Sequence, residues 1–172
     1  MNPVREHMPL LARHAGVWEG EYTHLAPDLA VQDRLSFRIL VEFPEDSSAA
    51  YRQTSHYWWP DGRTEALRYE GNYRDGCVVF DTGRIHGACR EVDDRTLYLR
   101  FAFNADPSGY VCEMIQLSAD GRHRARTWHW FRQDALWRIT LVREGRVSFD
   151  PAEFSRRLGQ APRPPWRAQQ SG

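Results

Sequence analysis

The sequence predicts a mainly β protein, a closed antiparallel up-and-down β-barrel of about 8–10 strands with short helices at its N- and C-termini. Three observations predict it. Apolar and polar residues alternate with a period of two along most of the chain, as in "RLSFRILVEF", where Leu35, Phe37, Ile39, Val41 and Phe43 share one face. Turn-forming separators recur at regular intervals: "PDG", "RDG", "VDDR", "ADPSG", "ADGR" and "RQDA". Aromatic residues make up 13% of the 172 residues, with seven tryptophans, a supply of large flat side chains suited to filling or lining a closed barrel. The even spacing favours meander connectivity over an α/β fold, and no repeat period suggests a propeller.

Residues 1–16 read as one N-terminal helix, with Pro3 in its first turn, Met8, Leu10, Leu11 and His14 near one side, and Gly16 ending it. The barrel occupies 17–147. Its first strand, "VWEGEYTHL", sets Trp18, Gly20, Tyr22 and His24 against Glu19, Glu21 and Thr23, and the small Gly20 leaves room beside its neighbours. After "RLSFRILVEF" comes "AYRQTSHYWW", which offers either Tyr51, Gln53, Ser55, Tyr57, Trp59 or Arg52, Thr54, His56, Trp58 to the interior. Both faces are amphipathic, so periodicity does not choose between them. The remaining strands are "TEALRYEGNY", "CVVFDTG", "RIHGACREV", "TLYLRFAFN", "YVCEMIQLS", "HRARTWHWF" and "LWRITLVRE". A short C-terminal helix spans 148–160, with Asp150 as N-cap and Pro151 in the first turn, and 161–172 is a proline-rich flexible tail carrying Trp166.

Composition narrows the function. The formal net charge is +0, so no field of one sign is available to hold a phosphate backbone or an anionic bilayer, and neither nucleic acid nor membrane is an expected partner. The N-terminus lacks a signal-peptide core, and three cysteines without a CxxC pair suit a reducing compartment, so a cytoplasmic protein, monomer or homodimer, is expected. All 23 basic residues are arginine, which excludes a Walker lysine, a pyridoxal Schiff base and any lysine nucleophile.

No catalytic motif is present. The seven histidines show neither HxH nor HExxH spacing, so no metal site is expected, and there is no GxSxG. A haem needs one axial histidine and stays a minor alternative to a cofactor-free barrel. What remains is acid and base chemistry by side chains inside a cavity. The catalytic candidates are His24, His56, His129 and Glu113; the ligand-binding candidates are Trp18, Tyr22, Tyr57, Arg126, Trp128 and Trp130. Glu113 shares a face with Val111 and Ile115, and the next strand supplies Arg124 and Arg126; this is either a buried carboxylate with a partner or an ion pair on the outer wall. On "HRARTWHWF", one face sets Arg126 beside Trp128 and Trp130, suited to a flat ligand bearing a carboxylate, phenolate or carbonyl; if that face is external, His129 points inward instead.

The stretches "HAGVWEGEYTHLAPD", "YRQTSHYWWPDGR" and "YEGNYRDGCVVFD", with Gly-x-Trp-x-Gly on the first strand after a short helix, resemble the lipocalin-like, calycin-type proteins of the DUF3598 group over about residues 10–145. The resemblance implies a closed barrel with a cavity for a small apolar molecule. Proteins of this architecture include carriers, haem-binding nitrobindin-like proteins, bilin lyases and cofactor-free lyases, isomerases and cyclases, so fold alone leaves function open. Missing here are the secreted lipocalins' signal peptide and paired cysteines, and the nitrobindin haem-ligand context. Three readings follow: a barrel binding a small, flat, largely apolar molecule, aromatic or polyketide- or terpenoid-like; a cofactor-independent lyase, isomerase, hydratase or cyclase using the same cavity; and a protein-interaction module presenting Trp58, Trp59 and Trp166.

Overall fold

The computed structural model describes residues 1–45 and 48–162; Trp166 and the rest of the tail lie outside the described residues. Ten antiparallel strands close into one barrel in sequence order, with the last pairing back onto the first: β1 Gly16–Leu25, β2 Val31–Glu42, β3 Tyr51–Trp58, β4 Thr64–Arg74, β5 Cys77–Asp81, β6 Ile85–Glu91, β7 Thr96–Phe103, β8 Gly109–Leu117, β9 His123–Arg132 and β10 Ala135–Ser148. All ten segments singled out by alternation are strands. Closure removes the exposed edges that an open sheet of this length would carry.

Instead of one N-terminal helix there are two, α1 Pro3–His7 and α2 Pro9–Ala12. The break is at Met8, whose φ −131° and ψ 71° are non-helical, in keeping with the following proline disfavouring the helical region for the residue before it. Asn2 caps α1, accepting the Val4 amide, and its side-chain amide donates to the carbonyls of Pro44 and Ala50 at 2.7 and 2.8 Å, tying the helices to the β2–β3 end of the barrel. Glu91 accepts the Leu11 amide at 2.8 Å. With Val4, Met8, Leu10 and Leu11 buried, α1 and α2 form a plug over one end.

The C-terminal helix, α3 Ala152–Arg156, packs outside the wall, Phe154 against Val17 and Leu40. It starts one residue later than the sequence suggested, with Pro151 at the N-cap position, while Asp150 still accepts the Ala152 amide. Arg38, buried on the outer face, ties this end of the chain down: it donates to the Arg157 carbonyl and pairs with Glu19 at 2.7 Å.

Hairpin geometry follows from the turn residues. Asp75 and Gly76 both take positive φ, 50° and 78°, the conformation a two-residue hairpin between right-twisted strands requires. The β9–β10 turn uses Gln133 and Asp134 at φ 50° and 58° without a glycine. At the plugged end Gly16 sits at φ 113° with the Ser148 carbonyl 2.5 Å from where a Cβ would be, which restricts the position to glycine.

Candidate functional site

The barrel encloses a cavity of about 230 Å³. Its walls are largely apolar: Tyr22, Tyr51, Tyr57, Tyr69, Phe101 and Trp128 stand around it among aliphatic side chains such as Leu35, Val78 and Leu97. Leu11 and His14 come up from the plug, and at the opposite end the half-buried Trp59, Phe103, Trp130 and Arg138 and the exposed Glu65 rim a mouth. The register of β3 is settled in favour of Tyr51, Gln53, Ser55 and Tyr57 facing inward, and a hydrogen-bonded file runs from the Tyr51 hydroxyl to Gln53 and on to Ser55.

On β9 the face carrying Arg124, Arg126, Trp128 and Trp130 points inward. Two of the candidate histidines are therefore not in the cavity. His129 is exposed on the outer wall, because it alternates with the inward tryptophans. His56 is on the outer face of β3, stacked on Trp58 at 4.2 Å, and the Arg38 guanidinium covers that same Trp58. Trp18 faces inward but lies beneath the cavity, fully buried, its indole N–H donated to the His14 carbonyl and its ring flanked by the Arg124 and Arg146 guanidiniums at 4.4 and 4.3 Å. The room expected beside Gly20 is filled by the Phe37 ring, which would lie 2.7 Å from a Cβ there.

Below the aromatic walls sits a buried ionic cluster that sequence pattern only partly foretold. Glu144, with no exposed surface, receives Arg124 through both carboxylate oxygens, at 2.9 and 2.6 Å, and lies 2.5 Å from Arg126 Nε. Arg126 also donates to the Tyr22 hydroxyl at 2.7 Å and to Glu113 at a longer 3.3 Å. Cross-strand register assembles the group: Glu144 opposes Arg124, Val142 opposes Arg126, and Glu113 opposes Trp128. Arginine is the residue suited to such a place, since its planar fork serves two carboxylates and a phenol at once.

Burial sets the protonation states. Desolvation pushes the Glu113 carboxyl above the usual carboxylate range, with Arg126 pulling the other way. The Tyr22 phenol is raised well above its ordinary value, so its hydroxyl keeps its proton. His14 is driven well below the ordinary imidazole range, first by burial and then by Arg124, Arg146 and Arg126. His14 Nδ1 lies 3.2 Å from Arg124 Nη1, and because guanidinium only donates, Nδ1 accepts and the proton sits on Nε2. Three buried polar atoms of the cluster and its surroundings close no well-aligned hydrogen bond: His14 Nε2, Arg126 Nε, whose contact with Glu144 is close but misaligned, and Trp128 Nε1, which points toward the Glu113 carboxyl and helps offset the effect of its burial.

Near the mouth, the Thr140 hydroxyl meets His24 Nδ1 and the Trp130 indole N–H, each at 2.8 Å, and His24 Nε2 lies 3.7 Å from Asp33. Burial lowers the His24 value, partly offset by Asp33. The structure thus gathers His24, Glu113, Tyr22, Tyr57, Arg126, Trp128 and Trp130 around one cavity. Glu144, Arg124 and His14 complete it; pattern did not flag Glu144 and His14 as cavity residues. Among the described residues no group of three or more His, Cys, Asp or Glu could hold a metal ion. Cys89 lines the cavity as a buried thiol whose value burial raises, the opposite of an activated nucleophile.

A closed ten-stranded up-and-down barrel, plugged at one end and hollow at the other, defines the chain as a lipocalin-like barrel protein. Its family follows from the sequence: residues 5–149 match the domain described as DUF3598, N-terminal, a domain of unknown function, and the chain belongs to that family. A DUF3598 protein of unknown function from Nostoc punctiforme superposes with a TM-score of 0.61 at 17% identity, over 80% of this chain and 49% of that one. This chain thus spans about half the length of that relative. The S-type phycobiliprotein lyase CpeS of Guillardia theta gives a TM-score of 0.63 at 15% identity, over 82% and 92%, and Rv2717c of M. tuberculosis gives 0.55 at 12%, over 83% and 98%. These identities establish a shared fold. No curated protein matches the chain in sequence.

Proposed function

We propose that this barrel is an intracellular binding protein for a small, flat, largely apolar molecule, held between the aromatic walls with a polar end toward Arg126 and Tyr22. The observation that carries the reading is the cavity itself: an apolar chamber with many aromatic walls, open at one end, over a floor with hydrogen-bonding capacity left unused. Apolar walls supply most of the affinity, and the few fixed polar groups orient the ligand. The three free cysteines agree with a reducing compartment.

A second reading has its own observation. Glu113 is a carboxyl raised by burial in contact with a guanidinium, beside a phenol, which is the equipment of a general acid next to an oxyanion-stabilising group. An S-type phycobiliprotein lyase shares the fold, so lyase chemistry is compatible with such a barrel, although that protein's substrate does not transfer at 15% identity.

Native mass spectrometry with an absorption spectrum, on protein purified from its own organism, tests the first reading. We expect a retained small molecule, lost on Trp128→Ala. An apo mass together with no fluorescence response to any flat aromatic probe refutes binding. Release of a changed product from an added ligand, abolished by Glu113→Gln with affinity kept, selects the second reading.

A further inference from the structure

We propose that the cavity floor is a monoanion subsite, taking the carboxylate or enolate end of a flat apolar acid onto Arg126 and the Trp128 indole N–H, acid end down and rings between the aromatic walls. The inference rests on the binding reading above and specifies its ligand class.

Three features of the floor converge on it. The first is hydrogen-bond donors in the floor that are not fully used. Two buried N–H donors close no well-aligned hydrogen bond, His14 Nε2, given the tautomer that Arg124 imposes, and Trp128 Nε1, which lies toward Glu113, while Arg126 Nε meets Glu144 only in a close, misaligned contact. Under-used buried donors of this kind are completed by an acceptor-rich group, since leaving a buried donor unmade is costly.

The second is the uneven sharing of the carboxylates. Glu144 serves both arginines at 2.5–2.9 Å, whereas Glu113 touches Arg126 once, at 3.3 Å. Two guanidiniums therefore share one closely held carboxylate. The third is geometry: Trp128 is the cross-strand partner of Glu113, and the Arg126 guanidinium carbon lies 5.6 Å from the Trp128 ring centroid. The guanidinium and the indole N–H thus belong to one spot, at the base of the rings that would sandwich the ligand.

Charge balance then links anion binding to a proton. The groups facing Glu113 are Arg124 and Arg126 from β9, Glu144 from β10, Tyr22 from β1, Tyr51 from β3 and Cys89 from β6. With Tyr22, Tyr51 and Cys89 neutral, an entering monoanion leaves room for one further negative charge only, on Glu144. Glu113 carries its proton in the complex, a state that its burial already favours.

The test compares 2-naphthoate with its neutral isostere 2-acetylnaphthalene by fluorescence titration and calorimetry. The wild-type protein is expected to prefer naphthoate by at least tenfold. Arg126→Met abolishes the preference while the ketone still binds. Trp128→Phe, which keeps a ring but removes the N–H, weakens naphthoate by about tenfold and serves if Arg126→Met does not fold. Naphthoate affinity falls as pH rises through the range in which the buried Glu113 carboxyl loses its proton, above the usual carboxylate range, and in Glu113→Gln this fall is absent. Equal affinity for the two probes in the wild type, or the same pH dependence in Glu113→Gln, overturns the subsite. If neither probe binds, it is the binding reading itself that fails.

Discussion

Replacing Glu144 by glutamine isolates the part played by the buried ionic cluster in holding the barrel. Glu144 has no exposed surface, takes two hydrogen bonds from Arg124 and lies 2.5 Å from Arg126. Glutamine keeps the shape but loses the charge, and its amide nitrogen turns a donor toward one of two donor-only guanidiniums. Both arginines, each 5% exposed, are left without their shared counter-ion. Removing one partner of a buried pair typically costs about 3–5 kcal/mol, because the surviving charge stays desolvated. For a domain of this length each kcal/mol lowers Tm by roughly 2–4 °C, so the fall should be about 6–20 °C. Thermal unfolding followed by circular dichroism, with urea titration for the free energy, measures it. Glu113→Gln is the control: its single 3.3 Å contact and its burial-raised carboxyl predict a loss under about 1.5 kcal/mol. The reasoning is wrong if Glu144→Gln costs less than about 1 kcal/mol, or if Glu113→Gln costs as much as Glu144→Gln.

Other consequences are open to measurement. Gly20→Ala drives a methyl into the Phe37 ring and the Arg143 carbonyl, and should destabilise by about 1–3 kcal/mol in urea titration. Because His14 is held neutral in the folded protein and binds a proton in the unfolded chain near pH 6.5, the unfolded state gains protons first as pH falls. Stability should therefore decline as pH drops through the ordinary imidazole range, and His14→Gln should flatten that part of the profile. His56→Ala and His129→Ala, on the outer wall, should leave naphthoate affinity within about twofold, whereas Trp130→Ala, which strips the mouth and frees Thr140, should weaken it by about tenfold.

Sequence by itself determined the strands, because alternation and turn chemistry are local properties: the ten segments, the inward apolar face of β2 and the turn at Asp75–Gly76 are all legible from neighbours along the chain. The split of the N-terminal helix is legible too, in the Met8–Pro9 pair, because proline disfavours the helical conformation of the residue before it. Tertiary structure decided which face of an ambiguous strand is inside. On β3 both faces mix aromatic and polar groups, and on β10 the usual rule is inverted, with Leu141 43% exposed and Thr140 and Glu144 fully buried. Periodicity reads such a strand backwards, since it assumes that the buried side is the apolar one. The interior of this barrel is polar where Arg124, Arg126, Glu113 and Glu144 meet, and each is tolerable there only because the others, from strands 13 to 20 residues away, arrive at the same level. That mutual compensation belongs to the closed barrel and its register, and no stretch of the chain contains it.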